Sequence, residues 1–71
     1  MPSLLFALTP REIEVLTLSA QGKTAAETAK GLGIVERTAN AHKQAIIRKL
    51  NASNITHAVA VALKDGIIKF P

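Results

Sequence analysis

The stretch TAAETAKGLGIVERTANAHKQAIIRKL, Thr24 to Leu50, decides the fold. It opens with Thr24 followed by Glu27 at the third helical position, the pattern in which side chains and backbone N–H groups cap each other reciprocally. The segment it starts is short and stops at Gly33, which can take the left-handed conformation that ends a helix without steric cost. A longer helical segment begins after a turn of only about three residues, and two helices joined that tightly form a helix-turn-helix unit. Ala29 falls where the two helices must cross and a small side chain is needed. Leu32 and Ile34 flank the turn as core anchors.

The same punctuation continues on both sides. Upstream, Thr9, Pro10 and Glu12 mark a helix start and Gly22 its stop, and Ile13, Leu16 and Ala20 follow one stripe of that helix with Val15 and Leu18 beside it, an expected broad buried face. Downstream, NASN is a turn cluster, Ser53 or Asn54 caps a further helix, and Gly66 ends it. The sequence thus predicts an all-α fold, a four-helix bundle with helices over about 9–21, 24–32, 35–50 and 54–65. The domain is expected over residues 9–68, with a lead-in at 1–8 and a tail at 69–71, and the closing IIKFP, residues 67–71, is expected to be extended and partly packed. Leu5, Phe6 and Leu8 of the lead-in are expected to cover the edge of the bundle.

Composition agrees with one helical core. The chain has 71 residues, 48% of them hydrophobic, yet aromatics are only 3%, so the interior must be built from Ile, Leu, Val and many Ala. There is no cysteine, which removes disulfides and thiolate metal sites and suits a reducing compartment. MPSLLFALTP lacks the basic start of a secretory leader, and no apolar run approaches the roughly 20 residues of a membrane span. A soluble cytoplasmic protein without membrane contact is expected.

Net charge is +4, and its placement is more informative. Residues 1–36 carry three basic and four acidic groups, net −1, whereas residues 37–71 carry six basic and one acidic, net +5. A basic half on a small domain points to a polyanionic partner.

Wound at about 100° per residue, the third helix places Val35, Ala39, His42, Ile46 and Leu50 on one stripe, the expected core face. The other side presents Arg37, Asn40, Ala41, Gln44 and Arg48, flanked by Lys43 and Ile47 on one edge and by Thr38 and Lys49 on the other. This composition suits a DNA groove, with amides for base edges, alanine for a thymine methyl, and Arg37, Thr38, Lys43, Arg48 and Lys49 for phosphates. A solvated polar face would account for the composition alone; the preceding turn and the acid-free run from Arg37 to Lys64 favour DNA. His42 is expected as a packed, hydrogen-bonded histidine. His57 has no cysteine or paired carboxylate near it in sequence, so neither a metal site nor a catalytic set can be assembled. No enzyme activity, cofactor or small-molecule ligand is expected.

From Leu8 to Leu63 the chain resembles the C-terminal DNA-binding domain of LuxR-type transcriptional regulators. The pieces that carry the resemblance are LTPRE, GKT..E.A, ERT..H, RKL and ASN.T.AV.AL…GII, in that order and at those spacings. THAVAVALKDGII looks most like the quorum-sensing branch, whose members carry an N-terminal acyl-homoserine-lactone domain absent from these residues. The resemblance implies base-facing positions at Asn40, Ala41 and Gln44. It implies phosphate contacts from Lys23 and Thr24 at the start of the second helix, from Thr38, Lys43 and Arg48, and from Asn54 and Thr56 at the start of the fourth. Helix N-termini independently offer backbone N–H groups to anions. The resemblance also leaves RNA polymerase open as a further partner.

The fourth helix is apolar on two sides. Ile55, Ala58, Val59, Ala62 and Leu63 form a core stripe, while His57, Ala60, Val61 and Lys64 lie away from it, and a helix apolar on two sides usually has two partners. A weak homodimer through this face would place two third helices in successive major grooves of a palindromic duplex. A competing reading is a helical protein-interaction module that binds no DNA.

Four positions depart from the family pattern. Val35 stands where Ser or Thr caps the third helix, a loss of about 1 kcal/mol. Thr28 and Ala39 replace larger aliphatics at about 0.8 kcal/mol per missing methylene, and Gly31 is up to about 1 kcal/mol worse than Ala in a helix. A small domain has only about 5 kcal/mol to lose. Modest stability is expected, with a Tm below about 80 °C in the absence of DNA.

Overall fold

The computed structural model describes residues 7–69. Residues 1–6 of the lead-in, Leu5 and Phe6 among them, and Phe70 and Pro71 of the tail lie outside the described residues. Four helices follow in order: α1, Pro10–Ala20; α2, Ala25–Leu32; α3, Glu36–Lys49; and α4, Ile55–Lys64. The fold is all-α, as the punctuation predicts.

Both predicted capping boxes form. The Thr9 hydroxyl accepts from the Glu12 N–H at 3.1 Å, and the Glu12 carboxylate accepts from the Thr9 N–H at 2.8 Å. Thr24 and Glu27 repeat the exchange at 3.1 and 2.9 Å. Between the two candidates for the cap of α4, Asn54 holds the position, its side-chain oxygen accepting from the His57 N–H at 2.8 Å. Val35 caps α3 without any side-chain hydrogen bond, as its aliphatic side chain dictates.

Every helix then ends in the same manner. Gly22, Gly33, Asn51 and Gly66 each take a positive φ. After each of them the next N–H reaches five residues back: Lys23 to Leu18, Ile34 to Ala29, Ala52 to Ile47 and Ile67 to Ala62, at 3.0, 3.0, 2.9 and 2.8 Å. This Schellman closure satisfies carbonyls that the end of a helix would otherwise leave bare. Asn51 does without glycine because its short polar side chain tolerates the left-handed region.

The core gathers Val15, Leu16, Ile46, Ala58, Ala62 and Ile68, with Leu8, Leu32, Leu50, Ile55, Val59, Leu63 and Ile67 packed against it. Ile68, the last residue of the expected domain, is buried. Ala29 and Ala39 are also buried, and α3 packs against α1, α2 and α4. Alanine is what lets short helices approach closely here.

Two core expectations fail. Val35 is 66% exposed, because it lies ahead of the first helical residue with an extended backbone and leaves the stripe that winding would give it. Ile13 is 36% exposed, because α1 buries the side that carries Glu12, Val15 and Leu16. His42 is half-buried, and among the described residues its ring has no hydrogen-bond partner, unlike the bonded histidine expected. Thr28 is fully buried, and its hydroxyl has no hydrogen-bond partner either.

Candidate nucleic-acid interface

Helix α3 separates its two faces cleanly. Ala39 and Ile46 point inward, whereas Arg37, Asn40, Ala41, Gln44 and Arg48 are all exposed. At about 100° per residue these five fall within an arc of about 100°. Thr38, Lys43 and Ile47 are half-buried at its borders. The composition of the arc matches what base edges and phosphates require: planar amides, a methyl-sized side chain and guanidinium groups.

Three elements meet beside this arc. Lys23 from the turn before α2, Lys43 from α3 and Thr56 from the first turn of α4 line one open cleft of about 360 Å³, together with Ser19, Gly22, Ile55 and Val59. No acid lines it. Two ammonium groups beside a hydroxyl and the N-terminal end of a helix form an anion-seeking arrangement. Residues distant in sequence and each expected at a phosphate are here brought together.

The other expected contacts are differently engaged. At the start of α2 the Thr24 N–H is bonded to Glu27, and the Thr24 hydroxyl already accepts from the Glu27 N–H. Those bonds, the backbone one first, and to a smaller extent the Lys23 charge hold the Glu27 carboxyl below its ordinary range. Thr24 is exposed and retains its hydroxyl proton as a donor. Asn54 uses its side-chain oxygen on His57, leaving its amide N–H groups free to donate outward.

Lys49 requires a correction. Its ammonium lies 2.8 Å from the Glu12 carboxylate and is only 26% exposed, so it belongs to the packing of α3 on α1 rather than to the exposed face. The pair is not evident from local sequence, because Glu12 already has a complete role in its capping box. A signal was nonetheless present, since Glu12 shares a side of α1 with Val15 and Leu16.

His57, Ala60 and Lys64 are exposed on α4 and Val61 is half-buried, while Ala58 and Ala62 are buried on the opposite side. His57 has a local role that its spacing did not reveal: Nδ1 accepts from the Ser53 N–H at 3.0 Å, which fixes the ring across the start of the helix. Among the described residues no group of three or more His, Cys, Asp or Glu could hold a metal ion, and no helix is long and apolar enough to cross a membrane.

Comparison with known proteins identifies the family. Residues 7–62 match the family described as bacterial regulatory proteins, luxR family. The chain is 51% identical over 61 residues to the transcriptional activator protein BjaR1 of Bradyrhizobium diazoefficiens, covering 86% of this chain and 25% of that protein. It is 53% identical over 62 residues to RpaR of Rhodopseudomonas palustris, a quorum sensing-dependent transcriptional regulator, covering 87% of this chain and 26% of that protein. The chain thus spans about a quarter of the length of these relatives. The solved structure of the transcription factor GerE superposes with a TM-score of 0.79 at 30% identity, covering 83% of this chain and 88% of that one. The chain belongs to the luxR family of bacterial regulatory proteins, a family of regulators rather than enzymes, and it carries that family's helix-turn-helix DNA-binding domain.

Proposed function

We propose that the domain binds duplex DNA sequence-specifically, with α3 in the major groove. Asn40, Ala41 and Gln44 meet base edges. Lys23, Lys43 and Thr56 clasp one phosphate run, and Thr24, Arg37, Thr38, Arg48 and Asn54 extend the contact along the backbone. The observation that carries this reading is the cleft where Lys23, Lys43 and Thr56 converge beside the exposed polar arc of α3.

Two copies are proposed to pair through His57, Ala60, Val61 and Lys64 of α4 and to read a palindromic site, each α3 entering one of two successive grooves. The likeness to BjaR1 and RpaR favours a role as the DNA-binding part of a cytoplasmic, quorum-sensing-type regulator that acts on transcription with RNA polymerase. Selection of bound sequences from random duplexes tests sequence preference, palindromy and half-site spacing together. Affinity should fall steeply with salt, and Lys43→Ala should flatten the log–log slope by about 0.9, the contribution of one phosphate contact on B-form DNA. Absence of binding to any duplex at low salt would leave the protein-interaction module as the reading, resting on the apolar second face of α4.

A further inference from the structure

We propose that Glu12 and Lys49 act as a strut that sets the pose of α3 on DNA, making both of them positioning residues for base readout. The inference rests on the DNA-binding reading above. Lys49 is the last residue of α3, and Glu12 lies in the first turn of α1, 37 positions earlier. Glu12 is 5% exposed, and one of its oxygens, Oε1, receives both the Lys49 ammonium and the Thr9 N–H, each at 2.8 Å. The carboxylate is therefore fixed by its own capping box before it meets α3. The second ion pair among the described residues, Arg11 with Glu14, is exposed and local to α1, so Lys49–Glu12 is the one that joins two helices.

Its placement gives it leverage. On the helical wheel Lys49 lies about 180° from Asn40 and about 140° from Gln44, so the pair sits behind the reading face without touching it. The front end of α3 has no side-chain cap at Val35. Rotation or lifting of the back end would separate the two charges where solvent reaches them poorly, which a partly buried pair resists far more than an exposed one. A 2.8 Å charged hydrogen bond adds a directional restraint at the back end of α3 to the apolar packing of Ala39 and Ile46.

A positioning role and a stabilising role separate in the ratio of specific to non-specific affinity. Partial unfolding lowers both affinities equally, while a misaligned α3 keeps its phosphate contacts and loses base contacts. The test uses the full chain, a site selected from random duplexes and a scrambled duplex of equal length, with folding checked by circular dichroism at the assay temperature. Lys49→Met should lower the affinity ratio by about tenfold, equivalent to about 1.4 kcal/mol for one degraded base contact, and should leave the salt slope on the scrambled duplex unchanged. Lys49→Arg should keep the pair and restore most of the ratio. Glu12→Gln, which retains a side-chain acceptor for Thr9, should lower the ratio in the same direction and guards against misfolding of Lys49→Met. An unchanged ratio accompanied only by a lower Tm makes the pair structural and overturns the proposal. A slope flattened by about 0.9 in Lys49→Met makes Lys49 a phosphate contact and overturns it too. Failure of the unsubstituted chain to bind either duplex would instead reject the DNA-binding reading itself.

Discussion

Replacing Thr28 by valine should stabilise this domain. Thr28 lies in α2, is fully buried, and its hydroxyl has no hydrogen-bond partner among the described residues. In the unfolded chain that hydroxyl is hydrated, so folding strips water from it and returns nothing, a penalty of about 1–3 kcal/mol. Valine has the same branching and nearly the same volume, so it fits without a cavity or a new rotamer. The two residues have similar helix propensities, and the added methyl contributes up to about 0.8 kcal/mol of burial. The expected gain is about 1–3 kcal/mol, and each kcal/mol raises the Tm of a domain this size by about 4–8 °C. Urea unfolding followed by circular dichroism gives the midpoint and slope, and the slope should not change. Thr28→Ser separates the two contributions, because it keeps the hydroxyl and deletes the methyl; it should destabilise. A valine variant equal to or weaker than the natural chain would refute the reasoning, since it would mean that the hydroxyl is satisfied after all. DNA affinity at temperatures where both forms are folded should be unaffected, because a fully buried side chain in α2 cannot reach the duplex.

Three further outcomes follow from the same geometry. Gly31 is exposed inside α2 with ordinary backbone angles, and a Cβ there meets nothing within 4 Å, so Gly31→Ala should add up to about 1 kcal/mol in the same urea assay. Val35 already has the extended backbone of a cap, and Val35→Ser should supply the missing acceptor and add about 1 kcal/mol, with increased amide-exchange protection at the start of α3. Burial pushes the Glu12 carboxyl upward, but the hydrogen bonds from Lys49 and Thr9 and the Lys49 charge outweigh it and hold it below its ordinary value of 4.5. The folded state then binds fewer protons than the unfolded one. This stability is present in full above about pH 4.5 and is lost as the pH falls through the lowered value. Unfolding midpoints from pH 7 to pH 3 should therefore fall less steeply for Glu12→Gln than for the natural chain, and parallel curves would contradict the assignment.

Local chemistry made most of the fold legible in the sequence. Thr9 with Glu12 and Thr24 with Glu27 define two helix starts to the residue, because a capping box is a contact over three positions. Gly22, Gly33 and Gly66 define three helix ends for the same reason. Periodicity placed the exposed arc of α3, since a helix far from its ends keeps the pitch that winding assumes. It failed at Val35, where helical geometry has not begun, and at Ile13, because the buried side of α1 includes Glu12 with Val15 and Leu16. Thr9 and Lys49 together offset the burial of the carboxylate, and Lys49 lies 37 positions away, beyond any local window of the sequence.

Lys43 and Lys49 show what that blindness means for a charged interface. Both are half-buried, both belong to the acid-free run, and at about 100° per residue they stand about 120° apart on opposite shoulders of the Ala39–Ile46 stripe. Sequence makes them equivalent; their neighbours do not. Lys49 meets a carboxylate and its charge is neutralised within the domain. Lys43 lines a cleft with Lys23 and no acid, so its charge is left for an anion from outside the domain. Of the four cations on α3, three lack an acid partner among the described residues, and under the proposed DNA-binding reading each phosphate they neutralise on B-form DNA contributes a salt slope of about 0.9. The basic count of the helix thus overstates its electrostatic grip by one charge, and that charge instead holds the back of α3 against α1.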